Sequence, residues 1–192
     1  MRAVFLCGFM GCGKTTVGKK LSSLLSCDFT DLDEYIVKAE RKTIPEIFSQ
    51  NGEDYFRQAE ERCLKELSEK TGGVIALGGG AILNPNTANT ANSCGITVFI
   101  DVPFETSYER IKDDENRPIA AKSTKEQLFE LYEKRLPVYK SNSKHSVFGI
   151  DSEDIAEKIR EILLLGVSPL EPHPFSVTTE KGERAFSFLC PR

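Results

Sequence analysis

A glycine-rich segment near the start of the chain has the residue types and spacing of a phosphate-binding loop. Residues 8–15 read GFMGCGKT and fit G-x-x-x-x-G-K-[ST] at every position, between a β-prone run and a helical one. Backbone N–H groups of such a loop surround phosphate oxygens, and the next helix N-terminus favours their charge. We expect nucleotide contacts from Gly11, Cys12, Gly13, Lys14, Thr15 and Thr16. Lys14 should reach the β- and γ-phosphates, and the Thr15 hydroxyl should ligate Mg²⁺; a glycine-rich turn without a ligand is the alternative.

Two aspartates follow the second predicted strand. Asp31 and Asp33 flank Leu32 at the end of a weakly β-prone segment. The carboxyl ends of parallel strands border the crevice where such sheets bind ligands. We therefore expect Asp31 to hold Mg²⁺ through water and Asp33 to face a substrate hydroxyl; alternatively, either one only caps a helix that begins near Glu34. The D-x-x-G and N-K-x-D elements of GTPase switches are absent from the sequence, which favours a kinase.

Two arginines lie in segments with helical periodicity. Taken alone, Arg57 is best interpreted as an ordinary helical ion pair with Glu60 or Glu61. Arg135 differs, because no carboxylate lies three or four residues away from it. We place Arg135 in the last turn of a helix that Pro137 ends, where its planar guanidinium is free to clamp a carboxylate or a phosphate.

A third arginine and a run of glycines complete the set of candidate site residues. Arg117 lies in a polar segment and is expected either to pair with the acidic residues at 113–115 or to reach the nucleotide. Gly78, Gly79 and Gly80 directly follow the third predicted strand. Three successive glycines cost backbone entropy, so they need a reason. Close approach of a ligand to the backbone is the functional reason, and a tight turn is the alternative.

The elements that would position these residues alternate between strands and helices. We predict strands in five segments: residues 2–7, 27–31, 73–77, 96–102 and 146–150. Capping boxes at Thr43–Glu46 and Thr124–Gln127 open two of the helices between them. The alternation predicts an α/β fold, a three-layer α/β/α arrangement around a parallel sheet of about five strands. Residues 32–71 read as a helical substrate-binding insertion, and residues 113–123 read as a mobile lid loop.

Composition and charge exclude several classes of protein. The chain has 192 residues and a formal net charge of −4, which argues against a protein whose main partner is nucleic acid. No apolar run approaches the roughly 18 residues that a membrane helix needs. Residues 1–12 superficially resemble a secretion signal, but they run directly into the phosphate-loop pattern. The six cysteines form no C-x-x-C pair, so we expect neither disulfides nor structural zinc, and a cytoplasmic location.

The combined motifs resemble the shikimate kinase family, within the nucleoside-monophosphate-kinase group of P-loop folds. The matching elements are residues 8–15, DLD at 31–33, GEDYFR at 52–57, GGGA at 78–81, RP at 117–118 and RLPVY at 135–139. The resemblance covers residues 1–165 and leaves residues 166–192 as a C-terminal extension. In that extension, residues 175–179 and 185–189 are compatible with a hairpin or with an unstructured tail.

The resemblance implies ATP-dependent phosphorylation of the 3-hydroxyl of shikimate, with Mg²⁺, on the way to aromatic amino acids. It implies that Asp33 binds the reacting hydroxyl and that Lys14 and Arg117 act on the phosphates. It also implies that the substrate carboxylate is held by Arg57, Arg135 and the Gly79 backbone, with Gly78 and Gly80 beside it.

The nucleotide base is less well defined by the resemblance. Arg110 is expected to flank the adenine, but the segment at 151–153 lacks the proline that packs on the base in some relatives. We expect a monomer that binds ATP and shikimate and neither nucleic acid nor membrane. A gluconate-kinase-like enzyme of the same fold and an inactive nucleotide-binding module remain the alternatives.

Overall fold

The structure is a computed structural model that describes residues 2–70, 72–114, 117–165, 176–178 and 184–186. Five parallel strands form the central sheet in the order β2-β3-β1-β4-β5. They span β1 Ala3–Cys7, β2 Phe29–Asp31, β3 Val74–Ala76, β4 Gly95–Asp101 and β5 His145–Phe148. All five predicted strands are confirmed, as is the predicted fold class.

Helices connect the strands and cover both faces of the sheet. They span α1 Lys14–Leu25, α2 Leu32–Glu40, α3 Ile44–Lys70, α4 Pro85–Cys94, α5 Phe104–Glu109, α6 Pro118–Ala121, α7 Lys125–Ser141 and α8 Ser152–Leu165, with a short 3₁₀ helix at Ala81–Leu83. Gly52 interrupts α3, with φ of 84° and ψ of 172°, so this long element is two helical segments joined at a kink. No helix among the described residues is both long enough and apolar enough to cross a membrane.

The side chains of β1 show how the three layers are built. Successive residues of a strand point to opposite faces, and all five residues of β1 are buried. Phe5 and its neighbours two residues away pack against α2, α3, α4 and α7, whereas Val4 and Leu6 pack against α1 and α8. The sheet therefore has a hydrophobic core on each face, and β1 lies at its centre.

Both predicted capping boxes are present. The Thr43 N–H donates to Glu46 Oε2 (2.7 Å) and the Glu46 N–H donates to Thr43 Oγ1 (3.4 Å). The Thr124 N–H donates to Gln127 Oε1 (2.9 Å), and the Gln127 N–H returns to Thr124 Oγ1 (3.3 Å). These reciprocal bonds start α3 and α7 where the sequence pattern placed them.

The prediction that Pro137 ends its helix is wrong. Helix α7 continues through Pro137 to Ser141. Proline removes one N–H donor, but the helix resumes its bonding, with the Asn142 N–H donating to the Val138 carbonyl (3.0 Å). Tyr139, beyond the proline, is fully buried. Burial of that ring holds the last turn in the helix despite the missing bond.

Two other segments differ from, or extend, the sequence interpretation. The predicted lid at 113–123 is not wholly a loop, because α6 forms within it; residues 115–116 lie outside the described residues. In the C-terminal extension, β6 Ser176–Thr178 pairs antiparallel with β7 Arg184–Phe186, three residues on each side. The rest of residues 166–192 lies outside the described residues.

Candidate active site

Three loops at one edge of the sheet bring the candidate residues together. The phosphate-binding loop follows β1, the aspartate pair ends β2 and begins α2, and the three glycines follow β3. These strands are neighbours in the order β2-β3-β1, so their carboxyl ends meet. The site therefore occupies the crevice in which open α/β sheets bind ligands.

The phosphate-binding loop presents an uncapped helix N-terminus. Gly13 precedes α1 with φ of 91°, a conformation that residues with a side chain rarely adopt. No side chain caps this helix, and no acidic residue lies in its first turn. The Lys14 ammonium donates to the carbonyls of Gly8 (3.0 Å) and Phe9 (3.1 Å). N–H groups and an ammonium thus converge where a phosphate would be stabilised.

Asp31 combines the two roles that the sequence left open. Its Oδ1 accepts from the Asp33 N–H (3.0 Å), which caps α2, and this helix begins at Leu32 rather than near Glu34. Its Oδ2 accepts from the Thr15 hydroxyl (2.6 Å). A hydroxyl and a carboxylate side by side at a phosphate loop are the oxygen ligands that Mg²⁺ prefers. The residues present therefore fit the metal that the sequence predicts.

An open pocket of about 530 Å³, including the solvent at its mouth, adjoins the phosphate-binding loop. One wall is apolar, and its side chains are those of Met10, Ile44, Phe48, Phe56 and Ile119. The other groups can bind a charged or hydroxylated ligand: Asp33, Arg57, Glu60, Arg117, Arg135 and the three glycines. The structure thus brings all the predicted substrate-binding residues into one pocket.

Arg57 forms the predicted helical ion pair and also lines the pocket. Its Nη1 donates to Glu60 Oε2 (2.5 Å), and its Nη2 donates to Glu53 Oε1 (2.7 Å). The second partner is therefore Glu53 rather than Glu61, whose carboxylate instead binds the side-chain amides of Asn84 and Asn86. The ion pair and a ligand-binding role are compatible, because the partners hold the guanidinium at the pocket wall.

Glu60 is the site residue whose burial the sequence analysis missed. It is 1% exposed, and burial raises its pKa to about 7, although Arg57 acts in the opposite direction. A signal existed in the sequence: Glu60 lies four residues after Phe56 and next to Ala59, on the stripe of α3 that faces the core. A carboxylate at a core position is costly unless it is paired, and this points to function.

Two of the three glycines make room for charged side chains. A Cβ on Gly78 would collide with Glu60 Oε1 and lie 2.9 Å from Asp33 Oδ1. A Cβ on Gly80 would lie 2.5 Å from Arg57 Nη1. The segment also turns, because the Ala81 N–H donates to the Gly78 carbonyl (3.1 Å). Neither a turn nor a ligand is therefore the whole reason for the triple glycine; side-chain packing contributes to it.

Asp33 lies between the two halves of the site. It lines both the pocket and the cavity at the phosphate-binding loop. Burial, followed by the neighbouring Asp31 charge, raises the pKa of Asp33, while Lys14 lowers it. Within the described residues, Asp33 Oδ1 and Glu60 Oε1 are buried without a hydrogen-bond partner. Buried polar atoms usually have a hydrogen-bond partner, so these two oxygens beside Gly78, on carboxylates that line the pocket, are exceptions that point to function.

Arg135 reaches the pocket from α7. It is 8% exposed, and its Nη1 lies 3.4 Å from the Gly79 carbonyl oxygen. That contact is at the long limit for a hydrogen bond. As the sequence predicts, no carboxylate among the described residues forms an ion pair with it within 4.0 Å. Its guanidinium therefore keeps donors for a bound anion.

Arg117 and Arg110 border the cavity at the phosphate-binding loop. Arg117 Nε donates to Asp114 Oδ2 (2.9 Å), the acidic pairing that the sequence left open, while the side chain lines both the cavity and the pocket. Arg110 donates to the carbonyls of Gly11 and Ile150, both at 3.1 Å. Arg110 thus joins the phosphate-binding loop to the segment before α8.

Comparisons with known proteins show the family to which this fold and sequence are similar. A family model described as shikimate kinase matches residues 10–164, most of the chain. A shikimate kinase of Aquifex aeolicus is 43% identical over 161 residues, covering 84% of this chain and 94% of that protein. The solved shikimate kinase of Acinetobacter baumannii, in complex with shikimate, superposes with a TM-score of 0.81 at 34% identity, covering 86% and 94% of the two chains.

A second solved structure, the shikimate kinase of Aquifex aeolicus, superposes with a TM-score of 0.75 at 41% identity, over 86% of this chain and 99% of that one. The family-model match at residues 10–164 includes most of the phosphate-binding loop, the insertion at 32–71 and α7. A family model that matches most of the chain and a relative that is 43% identical over most of both chains show that the chain belongs to the shikimate kinase family.

Proposed function

We propose that the chain transfers the γ-phosphoryl group of ATP to the 3-hydroxyl of shikimate and that the pocket binds shikimate. The observation that carries this proposal is the position of Asp33, which lines both the phosphate cavity and the pocket. A hydroxyl bound to Asp33 is next to the place where a γ-phosphate would lie. Shikimate has one carboxylate and three hydroxyls, which suits a pocket lined by both arginines and carboxylates.

The substrate carboxylate is assigned to Arg57, Arg135 and the backbone of the three glycines. Two guanidinium groups offer planar pairs of donors to one carboxylate. The carboxylates of Asp33 and Glu60, which line the same pocket, accept from the ring hydroxyls. Asp33 receives the reacting hydroxyl, because it also lines the cavity at the phosphate-binding loop. Glu60 holds Arg57 in place and accepts from a second hydroxyl.

The phosphate side is assigned to α1 and its loop. The ATP contacts are those of residues 11–16, with Lys14 moving from the loop carbonyls onto the β- and γ-phosphates. Thr15 and Asp31 hold Mg²⁺, which when bound offsets the negative charge of the phosphates. Arg110 lies on the side of the base, beside the loop at 150–152.

The segment at 113–123 is assigned the role of a lid. Ile119, in α6, already lines the substrate pocket, and Arg117 lies at the boundary of the two cavities. Closure would exchange the Arg117–Asp114 pair for a pair between Arg117 and the transferring phosphate. An arginine placed there stabilises charge that develops during transfer, and the lid excludes water from the reaction.

Replacing Arg135 by lysine should raise the KM for shikimate by about ten- to a hundredfold and leave the KM for ATP nearly unchanged. Lysine keeps the charge but loses the planar pair of donors that matches a carboxylate. Steady-state kinetics with each substrate varied in turn measure this. Arg62→Lys is the matched control, because Arg62 lies on α3 outside the pocket and pairs with Glu40. Equal effects on both substrates would mean that Arg135 serves the phosphates.

A coupled assay of ADP release tests the reaction itself. The protein should release ADP when ATP, Mg²⁺ and shikimate are all present, and gluconate at the same concentration should give no more than background. Shikimate supplies a carboxylate for the arginines of the pocket and ring hydroxyls for its carboxylates. Turnover with gluconate but not with shikimate would replace the proposal by the gluconate-kinase alternative, and no turnover with either would favour an inactive binding module.

A further inference from the structure

Tyr139 is fully buried directly behind the substrate pocket, and the reaction described above gives it no role. It follows Arg135 by one turn of α7, so both side chains lie on the same face of the helix. Its ring stacks on Phe99 of β4, with centroids 5.4 Å apart and planes at 17°. The stacking fixes the ring against the sheet and thereby fixes the direction of the hydroxyl.

The Tyr139 hydroxyl binds the glycine segment that borders the pocket. It donates to the Gly79 carbonyl oxygen at 2.5 Å. Burial raises the pKa of Tyr139, so the hydroxyl keeps its proton and remains a donor. Gly78, Gly79 and Gly80 have no side chains that could anchor them, and glycine backbones are otherwise permissive. The contacts made by their carbonyls therefore decide how this segment is oriented.

The two peptide groups that flank Gly79 are each held through their carbonyl oxygen. The Gly78 carbonyl accepts from the Ala81 N–H (3.1 Å), and the Gly79 carbonyl accepts from Tyr139. In a planar trans peptide the carbonyl and the next N–H point in opposite directions. The turn thus fixes the Gly79 N–H, and Tyr139 fixes the Gly80 N–H.

The same carbonyl is also within reach of Arg135. Arg135 Nη1 lies 3.4 Å from the Gly79 oxygen, whereas the Tyr139 hydroxyl lies 2.5 Å from it. While the Tyr139 hydroxyl donates to this oxygen, the Arg135 guanidinium stays at the longer distance. Without the hydroxyl, the carbonyl would lack its short bond, and Arg135 is the donor beside it.

We propose that Tyr139 is a positioning residue for recognition of the substrate carboxylate: its hydroxyl orients the Gly79–Gly80 peptide and leaves the Arg135 guanidinium available to shikimate. This inference rests on the proposed function of the pocket. It predicts that the hydroxyl matters more for shikimate than for ATP, because Tyr139 does not line the cavity at the phosphate-binding loop, and Arg135 beside it lines the substrate pocket and not that cavity.

Tyr139→Phe tests the proposal, since phenylalanine keeps the ring and its stacking and removes only the hydroxyl. The KM for shikimate should rise about tenfold, with the KM for ATP unchanged, as expected for a lost bond at a buried acceptor. Tyr55→Phe is the matched control: it removes a hydroxyl that donates to Glu40 at 2.7 Å, away from the pocket, and should leave both KM values at the wild-type level.

A double-mutant cycle with Arg135→Lys separates positioning from a purely structural role. If Tyr139 acts through Arg135, the effects of the two substitutions on the KM for shikimate should be less than additive. An unchanged KM for shikimate in Tyr139→Phe, equal rises for both substrates, full additivity in the cycle or loss of cooperative folding would each overturn the inference. These kinetics presuppose a wild type that turns over shikimate; its inactivity would instead overturn the proposed function.

Discussion

Replacing Lys14 by alanine should reduce kcat by at least about 10²–10³-fold, the effect of removing one preorganised charge donor, and bring turnover close to background. Phosphoryl transfer depends chiefly on positioning and charge stabilisation, so the lost ammonium has no local substitute. Initial rates of ADP release at saturating ATP and shikimate measure the effect. The substitution should leave shikimate affinity intact, because Lys14 lies in the phosphate cavity and not in the substrate pocket.

Lys19→Ala is the matched control for this prediction. Lys19 lies in the same helix, α1, with an exposed side chain that does not line the cavity at the phosphate-binding loop, so its loss should leave kcat near the wild-type value. A near-normal rate in Lys14→Ala would contradict the assignment of the glycine-rich loop as the catalytic phosphate site, and with it the kinase activity.

Asp33→Asn should lower kcat by at least about 10²-fold, in the range of a lost general base. Asparagine keeps the shape and one acceptor oxygen, but it cannot take the proton of the reacting hydroxyl. In a loose transition state, proton removal lags behind cleavage of the bond to the leaving group, so positioning of the hydroxyl by Asp33 also contributes to the rate. Because asparagine keeps the shape, the substitution isolates the contribution of the carboxylate charge. ATP affinity, measured by equilibrium titration, should stay unchanged, because the P-loop contacts and the Thr15–Asp31 pair remain.

Asp54→Asn provides the comparison for Asp33, since Asp54 is an exposed carboxylate on α3 outside the pocket and its loss should not change kcat. If Asp33→Asn retains most of the wild-type activity, Asp33 only orients the hydroxyl, and the catalytic role assigned to it is wrong.

Local patterns were sufficient to predict the phosphate side of the site. The glycine-lysine-threonine spacing, the apolar run before it and the aspartates at the end of the next strand are all short-range signals. Each of these signals depends on backbone conformation or on the periodicity of a single element. The structure has the strands and both capping boxes at the predicted positions, and it brings Thr15 and Asp31 into contact.

The substrate side depends on contacts between distant segments, which explains what the sequence did not reveal. The reason for Gly78 and Gly80 lies in Glu60 and Arg57, some twenty residues earlier in the chain. The continuation of α7 through Pro137 depends on burial of Tyr139 against β4. Periodicity marks Glu60 as lying on the core-facing stripe, but only the packed structure shows that its carboxylate borders a pocket.

The most direct test of the account is the position of the phosphate in the product. Wild-type protein is incubated with ATP, Mg²⁺ and shikimate, and the product is analysed by correlated ³¹P and ¹H NMR. The account predicts phosphate on the oxygen at carbon 3 of shikimate, in an amount equal to the ADP released. Phosphate on another hydroxyl, or ADP formed without phosphorylated shikimate, would contradict the placement of the reacting hydroxyl at Asp33.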